Sequence, residues 1–293
     1  MQLHLVDATY ELFRAHYSPR PATFAPDGRD VGAVVGLLYT LLTLLRDEGA
    51  THVGCATDHV IRSFRNDLYP GYKTEAGVPR ELLAQFPLAE RAMAAMGLVV
   101  WPMDEFEADD AMATAADRWA NWPGVDRVWI CTPDKDLAQC VRGERVVMRD
   151  RRRDRTIDEA GVIDRWGVGA ASIPDYLALV GDSADGFPGL PGWGEKSTAA
   201  VLARFPHLEE IPANPGEWHV NVRSANQLSA TLRNLWANAL LFRRLATLAK
   251  NAPLPQRSPD ELLWRGARRA EFTALCEELG QPRLADRPHV WRD

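Results

Sequence analysis

Cysteine is scarce: 293 residues hold four, Cys55, Cys131, Cys140 and Cys276, with no CxxC pair and no zinc-site spacing. A disulfide framework and a thiolate metal site are thereby excluded. Cys55 and Cys131 lie inside apolar runs and read as small buried hydrophobes of a reducing compartment. A long apolar run is also lacking. The most apolar segment, Val34 to Leu45, is interrupted by Gly36, Tyr39, Thr40 and Thr43 and falls short of the ~20 residues a membrane span needs. No Lys or Arg precedes the first apolar stretch, Leu3 to Val6, and Asp7 ends it early, so no secretory signal fits. The expectation is a soluble, cytoplasmic protein with no membrane partner. A basic excess is missing too, since 34 Lys and Arg stand against 40 Asp and Glu for a formal charge of −6. At first reading that disfavours nucleic acid. What is present is ordinary globular material, 46% hydrophobic and 25% charged, which rules out a disordered chain.

Through the first half, short β-like runs (Leu3–Val6, His52–Ala56, Leu98–Trp101, Val128–Cys131, Arg145–Met148) alternate with helical patterns at Val34–Arg46, Arg80–Met96 and Ala108–Ala120. That alternation predicts an α/β fold with a mostly parallel central sheet and helices on both faces. From Asp158 onward the β signal fades. Ile173–Val180, Lys196–Arg204, Ala225–Ala249 and Ala270–Leu279 read as helices between Pro- and Gly-rich loops. Two regions follow, an α/β core over residues 1–155 and a mostly helical region over 156–293.

Acids collect where such a sheet builds its sites. Asp7 follows the first strand and Asp58 the second; Glu107, Asp109 and Asp110 follow the third; Asp134 and Asp136 follow the fourth. Open parallel sheets place their sites at this carboxyl edge. A later loop adds Asp182 and Asp185. One acid at a helix start is usually a cap, but capping does not explain acids after four consecutive strands. Gathered carboxylates repel unless cations neutralise them. An all-oxygen set without His or Cys suits Mg²⁺ or Mn²⁺, and the number of acids suits two ions, as in phosphodiester hydrolysis.

The glycine-rich stretch Gly189-Leu190-Pro191-Gly192-Trp193-Gly194-Glu195-Lys196-Ser197 joins two predicted helices. As a nucleotide P-loop it fails, because Glu195 separates Gly194 from Lys196 and no strand precedes it. As a helix–hairpin–helix element it offers backbone N–H groups, a helix N-terminus and Lys196 to a DNA phosphate. Between the second and third strands, Arg65 and Lys73 are expected near the same sheet edge, able to neutralise a scissile phosphate. Tyr72 could stack on an exposed base, whereas Tyr69 reads as core. The run Arg149 to Arg155 reads as either a DNA patch or a solvated turn.

With these residues in place, the chain resembles the 5′-nuclease family of flap endonucleases and the 5′→3′ exonuclease domain of bacterial DNA polymerase I. The likeness runs from Leu3 to about Leu279. It is carried by Leu5-Val6-Asp7, Phe64-Arg65, Tyr69-Pro70 with Tyr72-Lys73, Glu107-Ala108-Asp109-Asp110 and Asp134-Lys135-Asp136-Leu137. Further along it is carried by Asp175 to Asp182, by Gly189 to Ala199, and by Leu245-Ala246-Thr247-Leu248 with Pro253-Leu254. The resemblance implies a PIN-like 5′-nuclease fold with a helical arch at about 66–96 and a helix–three-turn–helix element at about 173–206, followed by C-terminal helices. It implies that Asp7, Asp58, Glu107, Asp109, Asp110 and Asp134 surround one ion, and that Asp134, Asp136, Asp182 and Asp185 serve a second. Lys73 and Arg65 would be catalytic. Arg14, Tyr72, Gly189, Gly192, Gly194, Lys196 and Ser197 would contact DNA, with a K⁺ ion near Gly192–Gly194. Departures from the family pattern are Pro133, Ala8, Gly186 in place of the usual Asn, and no Arg shortly after Tyr72-Lys73, where Arg80 could substitute.

These readings predict a metal-dependent, structure-specific hydrolase acting on 5′ flaps or 5′ ends of DNA in replication or repair. It is expected to work as a monomer without its own polymerase domain, with a separate DNA polymerase as a candidate partner. A PIN-like RNase and a non-catalytic DNA-structure-binding protein are the alternatives. The glycine turn speaks against the first and the full acid set against the second.

Overall fold

Apolar strand runs separated by amphipathic helices fold as the alternation predicts. The computed structural model describes residues 1–19 and 21–293. In chain order its elements begin with β1 (Gln2–Asp7), α1 (Ala8–His16), α2 (Gly32–Arg46), β2 (His52–Asp58), α3 (Arg65–Leu68), α4 (Arg80–Leu83), α5 (Phe86–Ala95), β3 (Val99–Met103), α6 (Ala108–Trp119) and β4 (Arg127–Cys131). They continue with β5 (Val146–Asp150), β6 (Arg155–Ile157), α7 (Glu159–Trp166), α8 (Ile173–Val180), α9 (Glu195–Leu202), α10 (Ala225–Asn234), α11 (Trp236–Ala246), β7 (Ala267–Arg268), α12 (Arg269–Glu278) and β8 (Trp291–Arg292). The chain forms two compact units. Unit 1 contains Met1–Ile61, Glu75–Thr132 and Lys250–Asp293; unit 2 contains Arg62–Thr74 and Pro133–Ala249.

In unit 1 the strands run parallel in the order β3-β2-β1-β4. Strands covered on both faces read as near-continuous apolar runs, and β2 is buried along almost its whole length. The register sets Asp7 opposite Ala56 and Asp58 opposite Met103, so both carboxylates end their strands at one edge. Leu37, Leu38, Leu41 and Leu44 of α2 pack in one core with Ala89 and Met93 of α5 and Phe272 and Leu275 of α12. The helix expected over Arg80–Met96 is broken after Leu83, and Pro87 sits in the first turn of α5. The break puts Gln85 to use. Its buried Oε1 accepts from Ala33 N at 3.0 Å and Val34 N at 3.2 Å, capping α2, whose own cap residue Val31 has no acceptor side chain.

Unit 2 opens with β5 and β6, an antiparallel pair with Asp150 opposite Arg155. The Arg149–Arg155 run is therefore a hairpin. Arg153 donates to Asp150 at 2.9 Å and Arg149 pairs with Asp154, so its two acids engage two of its five arginines. The single helix expected over Ala225–Ala249 is two, α10 and α11, separated at Leu235 (φ −111°, ψ 27°). Phe187 stacks on Phe242 of α11 at 5.7 Å. Buried Asp175 at the start of α8 accepts from Arg243 of α11 at 3.0 Å and sits 2.9 Å from His207 Nδ1. Among the described residues, no helix is long and apolar enough to cross a membrane.

Candidate active site

The unit 1 acids cap helices, and capping aims them. Asp7 Oδ1 accepts from Tyr10 N at 2.8 Å at the start of α1, while its Oδ2 accepts from Thr132 Oγ1 at 2.9 Å. Asp58 Oδ1 accepts from Ala108 N at 2.7 Å, at the start of α6. Glu107 and Asp110 form a reciprocal capping box on the same helix, with Asp110 Oδ2 accepting from Glu107 N at 3.0 Å. All four are buried, and Asp109 is half-buried beside them. An ionised carboxylate has about four lone-pair positions, so these bonds fix each group and leave lone pairs for a cation.

Unit 2 holds a tighter set. Asp136, Asp182 and Asp185 each place a carboxylate oxygen within 4.8 Å of the others, the one such cluster found among the described residues. Asp134, expected with them, is outside that cluster. It is exposed, and its Oδ1 accepts from Asp136 N at 3.0 Å. Asp136 is 5% exposed and its Oδ1 has no hydrogen-bond partner. Burial pushes its carboxyl well above the usual range, and the charges of Asp134, Asp185 and Asp182 add to this while Lys135 opposes it. A buried, unpartnered carboxylate oxygen among like charges fits a hard divalent cation. Lys135 Nζ stands 2.8 Å from Asp182 Oδ2. Burial works against the Lys135 charge, yet the hydrogen bond to Asp182 and the charges of Asp182, Asp136 and Asp134 raise its pKa above the ordinary lysine value.

The expected basic and aromatic residues divide. Lys73 Nζ lies 3.9 Å from Asp185 Oδ1, beside the cluster. Arg65, expected to face a phosphate, is instead 1% exposed; its Nε donates to Leu245 O at 2.8 Å and a terminal nitrogen to Thr247 O at 3.1 Å. Those carbonyls belong to the last turn of α11, where helix acceptors lack partners. Tyr72, expected to stack on a base, is 3% exposed, and its hydroxyl donates to Asp185 Oδ2 at 2.9 Å. Its ring is packed and its hydroxyl aims a carboxylate. Tyr69 meets Phe242 edge-on at 5.9 Å, as a core residue should. Arg14 pairs with Glu11 and donates to Thr40 Oγ1 at 2.7 Å.

Gly186 has φ +83°, and a Cβ there would lie 2.2 Å from Gly71 O. The contact is local to a strap in which Lys73 N donates to Asp185 O at 3.0 Å. In the glycine turn, Gly189 has φ +69° and a Cβ would lie 2.4 Å from Gly181 N, so this glycine serves a close approach to the end of α8. Gly194 differs, with open space where a side chain would be. It caps α9, Ser197 Oγ bonding both its N–H and its carbonyl at 3.1 and 2.9 Å. Gly192, Gly194, Lys196 and Ser197 line one groove of about 790 Å³ with Arg223 and Ser224. Sequence reasoning missed Gln85, Arg223 and the Asp175–Arg243–His207 network. Lys135 was legible only as the middle of Asp134-Lys135-Asp136.

The T5 5′-exonuclease solved with divalent metal ions (zinc) matches with a TM-score of 0.66 at 16% identity, over 95% of this chain and all of that one. The bacteriophage T5 flap endonuclease, solved in a pseudo-enzyme–product complex with DNA and metal ions, gives 0.63 at 15% identity over 98% and 100%. The fold is that of a 5′ nuclease, a class of hydrolases. Sequence profiles sharpen this: the 5′-3′ exonuclease N-terminal resolvase-like domain matches residues 2–167, and the 5′-3′ exonuclease C-terminal SAM fold matches residues 168–270. The chain belongs to the 5′-3′ exonuclease family. DNA polymerase I of Rhizobium leguminosarum is 34% identical over 297 residues, covering 95% of this chain and 28% of that protein. The chain thus spans under a third of that relative's length.

Proposed function

We propose that this chain is a metal-dependent, structure-specific 5′ nuclease that hydrolyses DNA phosphodiesters at 5′ flaps or 5′ ends in replication or repair, leaving a 5′-phosphate and a 3′-hydroxyl. The observation that carries the reading is the Asp136–Asp182–Asp185 cluster, with Asp136 and Asp182 buried and an unpartnered oxygen on Asp136. Asp136, Asp182 and Asp185, with Asp134 two residues before Asp136, would hold one Mg²⁺ or Mn²⁺, and Asp7, Asp58, Glu107, Asp109 and Asp110 another. Such ions, when bound, activate water and offset charge on the phosphate oxygens. Lys73 supplies a nearby cation to the phosphate. Tyr72 orients Asp185, and Arg65 acts as a positioning residue through α11. Residues 1–155, with the C-terminal segment from Lys250 that belongs to unit 1, form the nuclease core, the arch lies in the segment before α5, and 156–249 form the DNA-binding region. There the turn at Gly192–Gly194, with K⁺, Lys196 and Ser197, grips a backbone phosphate whatever the sequence. The protein acts as a monomer on its DNA substrate.

A labelled 5′-flap duplex, incubated with purified protein and Mg²⁺ or Mn²⁺, tests this. Cleavage near the junction, abolished by EDTA and by Asp182→Asn, is expected. Intact flap DNA with both metals would overturn the enzymatic reading.

A further inference from the structure

We propose that Lys135 is an internal counter-ion of the unit 2 acid cluster, standing on Asp182 while no divalent ion is bound and giving up that oxygen when one is. The inference rests on reading Asp136, Asp182 and Asp185 as cation ligands. Three carboxylates within 4.8 Å of one another need positive charge. Of the two lysines beside them, Lys73 is at 3.9 Å from Asp185, beyond hydrogen-bond distance, while Lys135 is at 2.8 Å from Asp182. Asp182 Oδ1 already accepts from Ala184 N at 2.9 Å, so Oδ2 is the oxygen best able to reach a cation, and it is the one the ammonium covers. A divalent ion and an ammonium on one carboxylate oxygen repel each other.

Lys135 can yield. Its side chain is about one-third exposed, whereas that of Asp182 is almost wholly buried. A compact ammonium on a four-carbon stem swings to water with little cost, which a planar guanidinium would do less readily. The lysine therefore competes with the metal and lowers its affinity, but offsets part of the cluster's charge when metal is scarce. It acts as a built-in threshold on metal occupancy.

Mn²⁺ alone is the probe, titrated into DNA-free protein and followed by electron paramagnetic resonance of the unbound ion. Lys135→Met, similar in length but uncharged, is expected to bind the unit 2 Mn²⁺ about tenfold tighter or more. It should also melt lower than the wild type in EDTA and gain more from added Mn²⁺. Lys135→Arg, which keeps the charge on a group that yields less readily, should bind Mn²⁺ no more tightly than the wild type. Equal or weaker Mn²⁺ binding by Lys135→Met overturns the proposal, and Lys135→Gln repeats the comparison should the Met variant fold poorly. A wild type whose Mn²⁺ stoichiometry is unchanged by Asp182→Asn would instead sink the underlying metal-site reading.

Discussion

Asp136 shows what a functional carboxylate costs the protein that carries it. Buried among Asp134, Asp182 and Asp185, its carboxyl is held well above the ordinary range, so ionising it opposes folding until a cation arrives. Asp136→Asn keeps the shape and removes the charge. Flap cleavage by this variant should fall at least a hundredfold, since loss even of outer-shell partners costs about 10–100-fold. Its melting temperature in EDTA should nevertheless rise, a pair of outcomes that activity assays and calorimetry check together. The cysteines make the opposite case. All four are buried, burial pushes the Cys55 thiol far up, and Cys276 is pushed up to about 12 by burial with some help from Asp286. Thiolate is the reactive form, so the native protein should resist a thiol reagent at neutral pH and titrate four groups only after unfolding. Reaction of even one cysteine in the folded protein would contradict this burial.

At the scale of elements, the glycine turn gives a paired test. Gly189→Ala forces a side chain into a positive φ and against Gly181 N, and should destabilise by about 2 kcal/mol or more in urea unfolding. Gly194→Ala meets open space and should leave the melt within about 1 kcal/mol, the loss of a good N-cap residue. Arg65→Met removes a cation from the end of α11 and strands the buried carbonyl of Leu245; a loss of about 2–3 kcal/mol is expected. Strands and most helices were legible because apolar periodicity and the acids at strand ends survive in the sequence. The break at Leu235 was not, since Asn234-Leu235-Trp236 contains neither Pro nor Gly. The break near Gln85 was half-legible: Pro87 announced it, but the use of Gln85 as a cap for α2 depends on residues some fifty positions away. Arg65 and Tyr72 were expected to face a phosphate and a base, and both are packed inside instead. Residue type shows that a group can bind phosphate or stack on a base, and only packing shows that it is already engaged.

For the whole molecule, the charge of −6 counts chiefly the acid sets. Removing the nine candidate ligands from 40 acids leaves 31 against 34 bases, and a weakly basic remainder predicts DNA affinity that falls linearly in log–log plots against salt, by roughly 0.9 per phosphate neutralised. Fluorescence anisotropy with a catalytically dead variant measures that slope; a flat line would mean the phosphates are not being gripped. That each unit is assembled from separate stretches of the chain was invisible in sequence, because composition does not reveal which early segment will pack with a late one. Arg65 reaches Leu245 and Thr247 across 180 and 182 positions. A ribosome adding 5–20 residues per second takes roughly 10–40 s to cover that span. For all that time the nascent chain carries a guanidinium whose destined acceptors do not yet exist, so unit 2 is an assembly that translation itself must wait to close.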